Sequence, residues 1–211
     1  SCEKSFQKIG SHWGSGKCDY PDLTDEQKEV AIGILMGDGH IDATSTPCLI
    51  VNMITKEYLE YVDDCFGILG NGVKLHKEAE GNRKTVYRWT TVRHPYFEEL
   101  ESWYDSGSKT FPSDIEITPR VLRHWYCGDG SWKGKGSGSN LEIAMANEMH
   151  ETDKISKLFE EAGLPTPNYK SYESEDNRMC TAYFSSTDSP KVFDFMGDSL
   201  AGFEYKWPGG E

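Results

Sequence analysis

The same three residues, Gly-Asp-Gly, close an apolar run twice in this chain. They stand at 37–39 in ILMGDGHID and, ninety-one positions later, at 128–130 in WYCGDGSWK. The lead-ins match as well. Thr24 is a helix N-cap with Gln27 in the reciprocal capping-box position, and DEQKEVAIGILMG then reads as a helix apolar nearly all round in its second half. Thr118 caps a second helix with Pro119 in its first turn, and RVLRHWYCG carries it to the second motif. Each helix stops at glycine with an aspartate at the stop.

The segments downstream of the two motifs repeat as well. HIDATSTPCLIVNMI reads as two short strands around a Ser-Thr-Pro turn, and SWKGKGSGSNLEIAMAN as two strands around a Gly-Ser hairpin tip. Amphipathic helices come after them in KEYLEYVDDCFGIL and ETDKISKLFEEAG. Next come strand pairs, GVKLHKEAE with KTVYRWTTV and PNYKSYES with RMCTAYFSS, and then closing helices in PYFEELESWYD and SPKVFDFMGDSL. The order αββαββα therefore occurs twice, over about 23–112 and 118–207, which makes the chain a pseudo-dimer in one polypeptide. The expected division is an N-terminal extension at 1–22, a first half at 23–112, a linker at 113–117 and a second half at 118–211.

Two equivalent helices in a pseudo-dimer can pack on the two-fold axis, where Gly33 and Gly37 let backbones approach closely. Asp38 and Asp129 then emerge side by side. Neighbouring carboxylates repel, and a hard divalent ion such as Mg²⁺ is the cation that relieves them through oxygen ligands. DGHIDATST lacks the alternating acids and the loop glycine of an EF-hand, so this is not that kind of calcium loop.

The formal net charge is −13, from 35 acids and 22 bases, which opposes non-specific attraction to nucleic acid and fits a salt-adapted cell. The distribution qualifies the average. Between residues 73 and 93 stand Lys74, Lys77, Arg83, Lys84, Arg88 and Arg93 against only two acids, a basic stripe on a predicted hairpin. Six cysteines lack short paired spacings, so reduced thiols are the plain expectation. Cys2, His12 and Cys18 give three zinc ligands with no fourth nearby. No apolar stretch is long enough to span a membrane, and the polar N-terminal residues do not form a signal peptide, so a cytoplasmic location is expected.

On AIGILMGDG and LRHWYCGDG, together with the lead-in KTFPSDIEITPRVL, the chain resembles the LAGLIDADG homing endonucleases in their single-chain, two-motif form. The resemblance covers about residues 23–207 and implies an α+β fold. Its two pseudo-symmetric αββαββα halves would form a saddle of antiparallel sheets, with the motif helices packed at the centre. It implies a monomer that makes a double-strand break with short 3′ overhangs at a long asymmetric site in double-stranded DNA. Asp38 and Asp129, with the carbonyls of Gly37 and Gly128, would hold Mg²⁺; Mn²⁺ would substitute, and Ca²⁺ would support binding without cleavage. Lys109 and Lys206 match the family's lysine in each half, and Thr55 and Asn147 match its water-ordering polar residues. Alternation in CLIVNMI sends Leu49, Val51 and Met53 to the core and Ile50 and Asn52 to the DNA side. With the basic stripe, Lys133 and Lys135 complete the expected DNA contacts.

Some residues depart from the family pattern: His124 replaces a glycine on the second helix, and Met36 and Cys127 replace polar residues. An intron maturase that binds RNA and a non-cleaving DNA-binding protein are the competing functions on this fold. Retention of both acids and both lysines, with no room for a helix-turn-helix domain, points to the nuclease. The ending KWPGGE lacks the His-Asn expected of a complete self-splicing intein.

Overall fold

The structure is a computed structural model that describes residues 20–44, 47–104, 109–133, 140–145, 150–174 and 177–210. Cys2, His12, Cys18, Lys135, Asn147, the turn at 45–46 and the hairpin tip at 134–139 lie outside the described residues.

The repeat in the sequence becomes a repeat of elements. The first half runs α1 (Asp25–Met36), β1 (His40–Asp42), β2 (Cys48–Met53), α2 (Lys56–Phe66), β3 (Lys74–Lys77), β4 (Val86–Thr90) and α3 (Tyr96–Glu99). The second runs α4 (Pro119–Asp129), β5 (Gly130–Lys133), β6 (Asn140–Ala144), α5 (Thr152–Glu161), β7 (Asn168–Ser174), β8 (Asn177–Tyr183) and α6 (Ser189–Met196). Each half has one four-stranded antiparallel sheet, in the orders β1-β2-β4-β3 and β5-β6-β8-β7. The fold is α+β, as the sequence implied.

Both motif helices begin as their capping residues dictate. The Thr24 hydroxyl accepts from the Gln27 amide at 3.2 Å, while Gln27 Oε1 accepts from the Thr24 amide at 3.0 Å, closing the capping box. Thr118 Oγ1 accepts from the Val121 amide at 3.2 Å, with Pro119 fixing the first turn. The two helices end differently. α1 stops at Met36, so Asp38 lies in the turn beyond it; α4 runs through Gly128 to Asp129, because the Gly130 amide still donates to the Tyr126 carbonyl. The third helical segment of the first half is also shorter than the sequence suggests, four α-helical residues continued by a 3₁₀ turn at Leu100–Tyr104.

By contacts the chain forms two compact units: residues 1–31 with 39–102, and residues 32–38 with 103–211. In the first, α2 buries Tyr58, Leu59, Val62 and Phe66, and Phe66 meets Trp89 of β4 edge-on at 5.0 Å. Asp63 Oδ1 accepts from the Trp89 indole at 2.7 Å and from the Gly72 amide at 3.0 Å, tying α2 to the β3–β4 hairpin. Alternation along β2 buries Leu49, Val51 and Met53 and leaves Ile50 and Asn52 partly exposed.

In the second unit a row of buried rings passes from Trp103 through Phe111, Trp125 and Phe159 to Phe184, with successive centroids 5.2–6.2 Å apart. Residues 32–38 pack on α4 within this unit. A Cβ at Gly33 would fall on the Val121 carbonyl and stand 2.7 Å from His124 Cβ, and one at Gly37 would stand 3.4 Å from Gly128 Cα. The glycines therefore set how near the backbones come. His124, buried here, has its imidazole held neutral: burial pushes its pKa down to about 3, with Arg123 and Arg120 adding to the effect.

Gly33→Ala is expected to destabilise the protein by about 3 kcal/mol, the upper range for forcing a methyl into a packed core. Gly128→Ala should cost less, since its Cβ would meet backbone atoms at 3.0–3.2 Å. Chemical denaturation of both variants checks the order.

Candidate active site

Asp38 and Asp129 come directly after glycines at the C-terminal ends of two helices whose backbones nearly touch. A helix C-terminus carries partial negative charge from its unpaired carbonyls. Placing two such ends and two carboxylates together concentrates negative potential, which calls for cations. Asp38 is exposed and Asp129 half-buried. Burial, and next the charge of Asp38, push the Asp129 carboxyl up to about 6, against the pull of Lys109 and Lys206.

Those two lysines supply the cations that the protein itself provides. Lys109 Nζ donates to the Gly37 carbonyl at 2.6 Å. Lys206 Nζ donates to the Cys127 carbonyl at 2.8 Å and the Gly128 carbonyl at 3.2 Å. Each ammonium thus sits on the carbonyl immediately before a motif aspartate. Lys206 also lies over the Phe203 ring at 4.9 Å, and burial lowers its pKa while the nearby acids hold it up. Tyr126, one turn before Gly130 on α4, donates its hydroxyl to the Lys206 carbonyl at 2.9 Å.

The donor set here is oxygen throughout: two carboxylates and the carbonyls of Gly37 and Gly128. It fits a hard divalent ion such as Mg²⁺ or Ca²⁺ and not a thiolate-loving metal. Among the described residues no group of three or more His, Cys, Asp or Glu forms a metal cluster, so additional ligands would have to come from water or substrate.

The other sequence-predicted residues fall in two places. In the first unit, pairing of Asn52 with Arg88, and of Arg88 with Lys74, puts Ile50, Asn52, Arg88 and Lys74 on one face of the sheet, with Lys77 opposite Val86 beyond a bulge. Arg88 Nε donates to Asn52 Oδ1 at 2.8 Å, and its Nη2 lies 3.3 Å from His76 Nε2. Lys74, Lys77, Arg83 and Lys84 are exposed, and Arg93 is 3.5 Å from Asp42. Thr55 stands at the start of α2 with no side-chain capping bond. In the second unit, Lys133 forms a 2.6 Å ion pair with Glu142, a largely buried carboxylate.

Sequence reasoning missed His76, Glu142 and Tyr126 as partners of these cations. His76 was legible as the middle residue of Lys-His-Lys on a strand. Glu142 and Tyr126 sit among apolar residues in the sequence, and only the strand register and the helix end bring them to Lys133 and Lys206.

Two αββαββα halves, each led by a helix with an aspartate at or just beyond its end and a lysine on the carbonyl before that aspartate, define a pseudo-dimeric protein with one compound acidic site. Residues 28–192 match the model of the LAGLIDADG DNA endonuclease family, and the chain belongs to that family. Its fold is similar to that of the homing endonuclease I-WcaI bound to its DNA recognition sequence. That likeness has a TM-score of 0.75 at 18% identity and covers 94% of this chain and 91% of that one. Among curated proteins, an uncharacterized protein of Methanocaldococcus jannaschii is 30% identical over 128 residues, 58% of this chain and 50% of that protein. The cytochrome b mRNA maturase bI2 of Debaryomyces hansenii is 29% identical over 139 residues, 59% of this chain and 52% of the maturase. The chain spans about half the length of the curated relatives it matches.

The raised pKa of Asp129 fixes the sign of a stability effect. Because the folded value lies above the ordinary 3.8, the group's contribution is fully present below about pH 4 and is lost as pH rises through 6. Asp129→Asn should therefore be more stable than wild type at pH 8, by roughly 3 kcal/mol, and no more stable at pH 4. Millimolar Mg²⁺ should narrow the gap at pH 8 by stabilising the wild type. Urea melts at the two pH values, with and without Mg²⁺, read all three outcomes.

Proposed function

We propose that this chain is a site-specific DNA endonuclease that hydrolyses one phosphodiester in each strand of a long, asymmetric target and leaves short 3′ overhangs. The observation that carries this reading is the pairing, in both halves, of a motif aspartate with a lysine seated on the carbonyl before it. Asp38, Asp129 and the carbonyls of Gly37 and Gly128 would hold Mg²⁺ or Mn²⁺, with Ca²⁺ supporting binding alone. The bound ion supplies Lewis-acid charge for hydrolysis at the scissile phosphates.

The chain's own residues do the rest. The half-buried Asp129 and the exposed Asp38 would ligate the cation, and both add to the negative potential of the helix ends. Lys109 and Lys206, released from the carbonyls, would neutralise charge building on the phosphate oxygens. Thr55 and Asn147 would order water for the reaction. Ile50, Asn52, Lys74, Lys77, Arg83, Lys84, Arg88 and Arg93 of the first half, with Lys133 and Lys135 of the second, would contact the duplex. The Arg88–Asn52 bond presets the guanidinium on the sheet face, poised for a guanine edge or a phosphate. One chain carries both halves, which supports action as a monomer. The excess of acids supports a salt-rich host.

A second reading, assistance to RNA splicing, has one observation in its favour: the likeness to a cytochrome b mRNA maturase. Selection of cleaved sites from a randomised duplex library in Mg²⁺ separates the two, because a maturase alone returns no cut sequence.

Asp38→Asn or Asp129→Asn is expected to abolish double-strand cleavage while leaving specific binding in Ca²⁺ within about threefold. Wild-type cutting by either variant sinks the assignment. Arg88→Ala should reduce the slope of log affinity against log salt by about one phosphate's worth, or relax one base position if the side chain meets guanine. Unchanged affinity, slope and base preference would remove Arg88 from the interface.

A further inference from the structure

We infer that Tyr126 is a positioning residue that holds Lys206, and that it makes the two strand cleavages unequal. The inference rests on the endonuclease reading above. Lys206 belongs to a 3₁₀ turn, Glu204–Lys206, whose own amide bonds are short-range: Lys206 N–H to the Phe203 carbonyl and Trp207 N–H to the Glu204 carbonyl. Such a turn fixes the lysine poorly by itself. Its connection to the motif helix runs through both ends of Lys206. The ammonium donates to the Cys127 and Gly128 carbonyls, and the main-chain carbonyl accepts the Tyr126 hydroxyl. The residue is therefore fastened to α4 within three successive positions, 126–128.

The tyrosine is rigid enough to serve as the anchor. Its side chain is fully buried. The ring meets Phe193 edge-on at 5.7 Å and Trp207 at 5.1 Å, and a Cβ at Gly130 would overlap it, so glycine there keeps the ring's place. Trp207 is itself tied down by its indole N–H to the Gly197 carbonyl at 2.9 Å. Burial pushes the phenol pKa well up, so the hydroxyl remains a donor at every working pH.

The first half has no tyrosine at the equivalent position. Tyr126 stands three residues before Asp129; the residue three before Asp38 is Leu35, buried and without a hydroxyl. Leu35 offers no hydroxyl to the segment that carries Lys109, whose ammonium reaches the Gly37 carbonyl. Cleavage by the lysine of the second half thus depends on a phenol, and cleavage by that of the first half does not.

Tyr126→Phe removes the hydroxyl and keeps the ring packing. On a duplex labelled at both 5′ ends, single-turnover cleavage of one strand should slow about tenfold and that of the other stay within twofold, so nicked product accumulates. Lys206→Met should slow the same strand, and the double variant should be no slower than Lys206→Met. Specific binding in Ca²⁺ should be unchanged. Equal slowing of both strands would reduce Tyr126 to a structural role, and no slowing would overturn the inference. Hydrogen exchange gives a readout independent of cleavage: amides of residues 203–207 should exchange at least fivefold faster in Tyr126→Phe, with those of 121–125 unchanged. Unaltered exchange overturns the tether. A wild type that cuts neither strand sinks the endonuclease reading and with it the strand effect, whereas cutting without strand bias in the variant sinks this inference alone.

Discussion

The structure depends on a contact between backbones from which side chains are excluded. At Gly33 a single methyl would strike the Val121 carbonyl, and at Gly37 and Gly128 the chains pass with only α-carbons between them. This proximity brings two helix C-termini to one point, with Asp38 just past one end and Asp129 on the last turn of the other. Burial there, and next the charge of Asp38, raise the pKa of Asp129. The two lysines on the adjoining carbonyls are the protein's own answer to it.

Stability and chemistry are in tension here. A helix end prefers a cation, and each of these receives a carboxylate as well. The arrangement persists because buried aromatic packing surrounds it: the row from Trp103 to Phe184, and the Tyr126–Phe193–Trp207 group.

Much of this was legible in the sequence because it is local or periodic. The capping residues Thr24, Gln27 and Thr118 mark both helix starts, alternation in CLIVNMI sorts the faces of β2, and the duplicated Gly-Asp-Gly announces the repeat. The ends of the motif helices were less legible. Whether a helix stops at Met36 or continues to Asp129 turns on one or two amide bonds, and both endings carry the same three letters. Side-chain partnerships were not legible at all where they cross the chain. Lys133 with Glu142, Arg88 with Asn52 and Tyr126 with Lys206 are separated by 9 to 80 positions, and each depends on register or on a helix end.

The boundaries between the compact units fall inside α1, after Ala31, in the motif turn, after Asp38, and after Ser102, ahead of the expected linker at 113–117. The sequence repeats as two halves, but packing assigns residues 32–38, and the stretch from Trp103 onward, to the second unit. Shuffling halves between relatives at the linker would pair a helix end with an α4 it was never fitted to, a valine carbonyl against whatever stands at position 33. Lineages that exchange halves successfully should therefore carry the second half together with that short stretch, or retain glycine there on both sides. The repeats and the compact units therefore divide the chain differently, and the glycine contact at residues 32–38 decides which division an exchange of halves has to respect.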